Sequence, residues 1–220
     1  MNLPQYIQAA LETESVIPNV TTDVDNLQAV LSSVIAAGNL LDVIKKDTFY
    51  GLPKDEDKLA KRLIRLEDNA ILLRRAAGHT EALTRRKIRG DETSVRTLNN
   101  INPRVAHAII GLATEAVELL EALYEAVETG TEMDGVNILE ELGDLNWYHA
   151  IAVDALGGSW EQIQETNIAK LRNRNKGKKF NADATINRDV GAERALLEQQ
   201  LVPADARAVA DYNSVGGSDF

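Results

Sequence analysis

Four acidic residues constrain this chain more than any other feature: Glu115 and Glu118 in one segment, Glu141 and Asp144 in another. Each pair is spaced i,i+3, which sets both carboxylates on one side of a helix. Apolar residues surround them, Val117, Leu119, Leu120 and Leu123 in the first segment, Leu139, Leu142, Leu145 and Trp147 in the second. Between the segments, Glu-Thr-Gly-Thr-Glu-Met-Asp-Gly, with Gly130 and Gly135, reads as a turn. A chain that folds back there as an antiparallel helical hairpin brings four carboxylates together. Such a cluster repels itself unless a cation sits within it. Hard divalent ions suit that place, because they prefer oxygen ligands and Mg2+ commonly binds through a few carboxylates plus substrate phosphates. The competing reading is a solvated helix face, on which i,i+3 glutamates are common. Two such pairs, both set in apolar faces, favour the metal.

Apolar residues recur at helical spacing along almost the whole chain, and β-type alternation is nearly absent, so the expected fold is all-α. A short helix is expected over Tyr6–Glu14. The Thr21-Thr22-Asp23 cluster after Pro18 signals a turn and a helix start, with a long helix over Asp25–Lys46. A further helix is expected over Asp55–Ala77, stopping near Gly78, then a short basic helix over Glu81–Arg89 and a loop over Gly90–Pro103. Pro103 suits the first turn of the first acidic helix, which should end at Thr129-Gly130. Asp134 is the expected N-cap of the second acidic helix, with Gly157-Gly158 as its stop. Ser159 with Gln162 fits a capping box opening a helix to Asn173. An irregular stretch over Gly177–Ala184, a last helix over Asp189–Leu201 and a mobile polar tail after Pro203 complete the reading.

The 220 residues suffice for one substantial domain or two small ones, and 44% hydrophobic content permits a core. With no cysteine there is no disulfide framework and no thiolate site, which fits a cytoplasmic protein. The opening MNLPQYIQAALETES lacks the basic and apolar regions of a signal peptide, and no stretch is read as approaching the ~20 apolar residues that span a membrane. A net charge of −10 argues against nonspecific binding to nucleic acid. His79, His107 and His149 are too scattered for a histidine zinc motif, and no phosphate-loop or dinucleotide fingerprint occurs.

A shift of 79 residues aligns the two halves without gaps. Ala37, Leu40, Leu41, Gly51, Asp55, Leu63, Leu66, Ala76 and Gly78 meet the same residue types at Ala116, Leu119, Leu120, Gly130, Asp134, Leu142, Leu145, Ala155 and Gly157. In this register the four acids stand opposite Ala36, Asn39, Arg62 and Arg65. A three-residue gap instead sets Asp68 against Asp144, and any two amphipathic hairpins share Leu and Ala at such spacing.

The pattern E-x-x-E, a gap, then E-x-x-D, here Glu115-Ala-Val-Glu118 and Glu141-Leu-Gly-Asp144, resembles the MazG-like, all-α nucleoside triphosphate pyrophosphohydrolases. The segments GLATEAVELLEAL, EELGDLNWY, ALGGSWEQIQETNIAKLRNR and INRD are similar to that family in the same order, over roughly Pro103 to Asp189. The family commonly has Tyr-Pro where this chain has Asn175-Lys176. The resemblance implies a helical bundle with its catalytic part over 103–189. A helical region over 1–90 precedes that part, read in the 79-residue register as a degenerate copy of the hairpin or else as an unrelated amphipathic pair, and a terminal helix and tail over 190–220 follow it. It also implies Glu115, Glu118, Glu141 and Asp144 as ligands of Mg2+, with Mn2+ able to substitute. The implied reaction is hydrolysis of a nucleoside triphosphate at the α-phosphorus to nucleoside monophosphate and pyrophosphate, in a homodimer or larger assembly that tunes a nucleotide pool. A phage enzyme making dGMP is the narrow version. Phosphoribosyl-ATP and dUTP or dCTP hydrolases are the near rivals, and a non-catalytic nucleotide- or partner-binding module is the rival of another class.

Complementary charge follows the acidic hairpin. Lys170, Arg172, Arg174, Lys176, Lys178 and Lys179 form a basic run without an acid, suited to a polyphosphate. Lys170 and Arg174, with Asn167, are the expected phosphate contacts; the flexible-tail alternative applies to Lys176–Lys179. His107 lies about 20° from Glu118 around an ideal helix, on the same side. His107, Trp147 and Tyr148 serve either to meet a base or to fill core. Glu121 and Glu140 serve either behind the ligands or as solvated surface. Arg85, Arg86, Lys87 and Arg89 either cap the site or form a solvated basic face.

Overall fold

The structure is a computed structural model and describes residues 2–51, 56–89, 95–175, 184–185 and 187–201, with the side chains of 76–77 and 79–89 outside that description. The fold is all-α but for one small ribbon. In chain order come α1 (Leu3–Glu12), β1 (Thr21–Asp23), α2 (Val24–Tyr50), α3 (Glu56–Arg89), β2 (Val95–Thr97), α4 (Pro103–Thr129), α5 (Gly135–Ala155), α6 (Trp160–Arg174) and α7 (Val190–Gln200). Two compact units result, one of residues 19–99 and one of residues 1–18 with 100–220.

Helix ends follow the capping residues. Asp23, Asn102, Asp134, Ser159 and Asp189 each accept a backbone N–H at the head of the helix that follows, satisfying donors that have no partner within the helix. Gly51 and Gly130 close α2 and α4 at φ of 63° and 70°, a left-handed geometry that glycine adopts without strain. Two expectations need correction. The helix expected to stop at Gly78 runs on to Arg89 as α3, absorbing a mid-helix glycine that costs only about 1 kcal/mol. The segments read as turn and loop contain β1 and β2, paired antiparallel with Thr21 opposite Thr97 and Asp23 opposite Val95. Three-residue strands are too short to show alternation. The tail after Pro203 and the basic residues Lys176, Lys178 and Lys179 lie outside the described residues.

In the 19–99 unit α2 pairs with α3. Ala29, Ala36 and Val43 are buried at seven-residue intervals, a seam of small side chains along α2. Beside it Ser32 Oγ donates to Asn69 Oδ1 at 2.9 Å, and Asn69 Nδ2 donates to the Ser32 carbonyl at 3.0 Å. Arg62 donates to the Asn39 carbonyl and lies 3.9 Å from Asp42. By length and composition α2 is apolar enough to cross a membrane, with a mean hydropathy of 1.6 in its most apolar window and 11% of that window buried. That corrects the expectation that no stretch approaches the length and apolarity of a membrane span.

In the other unit α4 pairs with α5, and α1 packs on α5. Trp147 Nε1 donates to Thr13 Oγ1 at 2.8 Å and to the Ala10 carbonyl at 3.2 Å, and the Tyr6 hydroxyl donates to the Gly143 carbonyl at 3.3 Å. By contacts α1 thus belongs with the acidic hairpin, although it lies within the 1–90 stretch of the sequence partition. Arg104, at the head of α4, donates two 2.7 Å bonds to Glu14 and one to Asp154, which together hold its guanidinium charged.

The two hairpins match at a shift of 79. Both first helices have 27 residues and end on a left-handed glycine, and the second helices start at Glu56 and Gly135. Ala29 and Ala108 are both buried. Ser32 and Asn69, the polar contact of one hairpin, stand where the other has Gly111 and Tyr148. A Cβ on Gly111 would overlap the Tyr148 ring. Gly111→Ala should therefore destabilise the protein by about 1–3 kcal/mol in urea unfolding, the usual range for overpacking. Gly143→Ala, with open space at its Cβ, should be neutral or stabilising by up to ~1 kcal/mol. Equal effects of the two substitutions would contradict this packing.

Candidate metal centre

The α4–α5 seam sets the acids. On α2 the position equivalent to Glu115 is Ala36, buried against α3. Glu115 therefore enters a line of small inter-helix residues, and it is half-buried. Across from it on α5, Glu141 is 5% exposed, one of few buried polar side chains among the described residues. Asp144, one turn further along α5, is exposed. Glu115, Glu141 and Asp144 each present an oxygen, and these atoms all lie within 4.8 Å of one another. Glu118 is exposed and stands outside this triad, but close enough to act on Glu141 electrostatically.

The crowding shows in the titration. Burial is the largest cause pushing the Glu141 carboxyl above the ordinary glutamate value. The charge of Glu118, a hydrogen bond with Glu115 and the charges of Glu115 and Glu140 push the same way. The Tyr148 hydroxyl is raised by burial first, then by Glu115, Asp144 and Glu118, and Tyr6 by burial, then Asp144. Glu141, Tyr148 and Tyr6 are thus each biased toward the proton-bound form.

A cleft of about 450 Å³ opens beside the triad, lined by Glu118, Glu121, Glu125, Asn137, Met133 and Glu141 among others, with no basic residue in its wall. The donor set fits a hard divalent cation. An octahedral ion with oxygens at about 2.1 Å holds its ligand atoms roughly 3 Å apart when adjacent and 4 Å when opposite, so three oxygens within 4.8 Å need only a small closure.

The other expected site residues fall elsewhere. His107 packs edge-on to Trp147 and Tyr148, ring centroids 6.1 and 5.5 Å away, with its Nδ1 buried and unpartnered among the described residues. Trp147 is committed to α1 by its indole hydrogen bonds. Of the two readings weighed for His107 and Trp147, packing is the one with contacts behind it. Arg174, an expected phosphate contact, forms a two-point pair with Glu193 of α7, at 2.7 and 2.9 Å, which lowers the Glu193 carboxyl. Glu193 follows the INRD segment and was passed over, since nothing in the linear spacing joins it to Arg174. Asn167 is exposed and Lys170 half-buried on α6. The α6 contacts run to α7, and to α5 through the Trp160–His149 ring contact at 5.5 Å.

Compared with protein-family models, curated proteins and solved structures, the chain matches none.

A raised carboxyl in the folded state stabilises at low pH and loses that contribution as pH rises through the raised value. In chelator, Glu141→Gln, which keeps shape without charge, should therefore melt increasingly above the native protein as pH moves from acid to neutral. Mg2+ or Mn2+ at neutral pH should raise the native melting point by several degrees and leave the variant's unchanged. A metal response retained in the variant would remove Glu141 from the site.

Proposed function

We propose that this protein is a metal-dependent nucleoside triphosphate pyrophosphohydrolase whose active site is the α4–α5 hairpin. One observation carries the reading: Glu115, Glu141 and Asp144 converge within 4.8 Å at the edge of a cleft walled by carboxylates. A wall of that sign repels a bare polyphosphate and accepts one that arrives with divalent cations. The order of motifs from Pro103 to Asp189, similar to the MazG-like enzymes, supports the substrate class and the scissile bond.

In this reading Glu115, Glu141 and Asp144 hold Mg2+ or Mn2+. The ion supplies charge neutralisation at the phosphates and an acidified water when bound. Glu118 stands beside the three without joining them, so it is the carboxylate left to orient the attacking water and accept its proton. Water adds to the α-phosphorus, the α–β bridging bond breaks, and pyrophosphate leaves with the bond's electron pair. Lys170 and Asn167 are the α6 groups proposed to meet the phosphates, because Arg174 is held by Glu193. Tyr148 fixes the helix spacing by packing on Gly111, so its ring acts on the site through geometry.

The test is a product assay across the common ribo- and deoxynucleoside triphosphates, with and without Mg2+. One or a few should yield monophosphate plus pyrophosphate, and only with metal. Glu118→Gln should lower kcat by roughly 100-fold or more with the circular-dichroism spectrum unchanged, the usual size of a lost general base. No turnover of any triphosphate, or full turnover by Glu118→Gln, would overturn the proposal.

A further inference from the structure

A second cleft, of about 310 Å³, lies between α1, α5 and the first turns of α6, and it shares no lining residue with the carboxylate cleft. Leu3, Tyr6, Ile7 and Ala10 follow one another at i, i+3, i+4 and i+7 and make one side of α1. Ala10 is buried, whereas Leu3, Tyr6 and Ile7 are only half-buried and line the cleft, with Ala150 of α5. Tyr6 and Trp160 supply two aromatic rings. The rest of the lining is three amides, Asn2, Asn146 and Gln164, and among the described residues no charged side chain joins it.

The hydrogen bonds already made decide what the polar groups still offer. Asn2 Oδ1 accepts from the Gln5 N–H at 3.0 Å, which leaves the Asn2 amide N–H groups to donate. Asn146 Nδ2 donates to the Leu142 carbonyl at 2.9 Å, which leaves its Oδ1 to accept. The Tyr6 hydroxyl donates to the Gly143 carbonyl at 3.3 Å and keeps its lone pairs, and the Gln164 amide can supply either kind of bond. A charged ligand meets no countercharge here, and a purely apolar one leaves the amides unpaired. The lining suits a flat, uncharged molecule with both donors and acceptors on its edge. Nucleobases are of that kind: they stack on aromatic side chains and pair through their edges with Asn and Gln amides. Ligand clefts start at about 300 Å³, so this one has room for a base and its sugar but not for three phosphates as well.

We propose that this cleft is a nucleobase site, taking the base and sugar of a nucleoside, or of a nucleotide whose phosphates lie outside it. Gly143, which accepts the Tyr6 bond, directly precedes Asp144 in α5, so the site adjoins the carboxylates along the chain. The base is either that of a triphosphate held at the carboxylates or that of a separate nucleoside. The proposal goes beyond the hydrolase reading, since binding here needs no bond to be broken.

Trp160 and Trp147 are the two tryptophans of the chain, and Trp147, held by Thr13, serves as the internal control. The four common deoxynucleosides are titrated in chelator into the 15N-labelled full chain, and the two indole N–H signals are followed by nuclear magnetic resonance. At least one nucleoside should shift the Trp160 signal saturably and more than that of Trp147. Asn146→Ala and Gln164→Ala, at exposed helix positions that accept alanine, should each weaken this binding several-fold with the circular-dichroism spectrum unchanged. The α,β-imido triphosphate of the same base, added with Mg2+, then identifies the source. Displacement of the nucleoside assigns the base to the triphosphate, and simultaneous binding of both assigns it to a separate nucleoside. A Trp160 signal that neither nucleosides nor the triphosphate analogue move, or a shift unchanged in both variants, would overturn the proposal. No turnover is read, so that failure is distinct from a failure of the hydrolase reading.

Discussion

Carboxylate oxygens held within a few ångströms of one another repel strongly, the more so where burial strips them of water. Glu115, Glu141 and Asp144 are in that position, and Glu141 is almost wholly shielded. Such a group stays charged only beside a cation; otherwise it takes up a proton, the direction in which Glu141 is pushed. The local structure follows from holding these groups together nonetheless. The close approach of α4 and α5 depends on Gly111, whose missing side chain is replaced by the Tyr148 ring. Trp147 and Tyr6 fasten α1 along α5, so the helix bearing Glu141 and Asp144 is braced by a second helix.

The α2–α3 hairpin shows what the scaffold does without that load. At the equivalents of the four acids it carries Ala36, Asn39, Arg62 and Arg65. Ala36 completes a seam of small residues, and Arg62, opposite to Glu141 in charge, donates to the Asn39 carbonyl. A side-chain cation thus occupies the position where the second hairpin has a carboxylate. The seam tolerates either arrangement, so the acids are not needed to make the hairpin fold. A carboxylate that a fold can do without, yet keeps buried among others as it does Glu141, suits a site for a cation.

Much of this was legible in the chain. Asp134, Ser159 and Pro103 announced helix starts and Gly130 a stop, because capping groups act within a turn of their own position. The 79-residue register could be written from the letters, but only the shared helix ends and the equivalence of Ser32–Asn69 with Gly111–Tyr148 separate it from the gapped alternative. What stayed illegible depends on distance along the chain. Trp147 reaches Thr13, Arg174 reaches Glu193, and β1 meets β2 across more than seventy residues. No local pattern encodes such partners. Glu118 falling outside the convergent triad was hidden for a related reason: i,i+3 spacing gives a side of the helix, not how far each side chain sits from its neighbour across the seam.

The central claim is that the α4–α5 carboxylates bind a divalent cation, and Mn2+ tests it most directly because its free and bound forms differ in electron paramagnetic resonance. Titrated at neutral pH, the native chain should bind Mn2+ at the α4–α5 hairpin, Mg2+ should displace it, and Asp144→Asn should weaken binding at least tenfold. Unchanged binding in Asp144→Asn and Glu141→Gln, or no binding at millimolar Mn2+, would contradict the account.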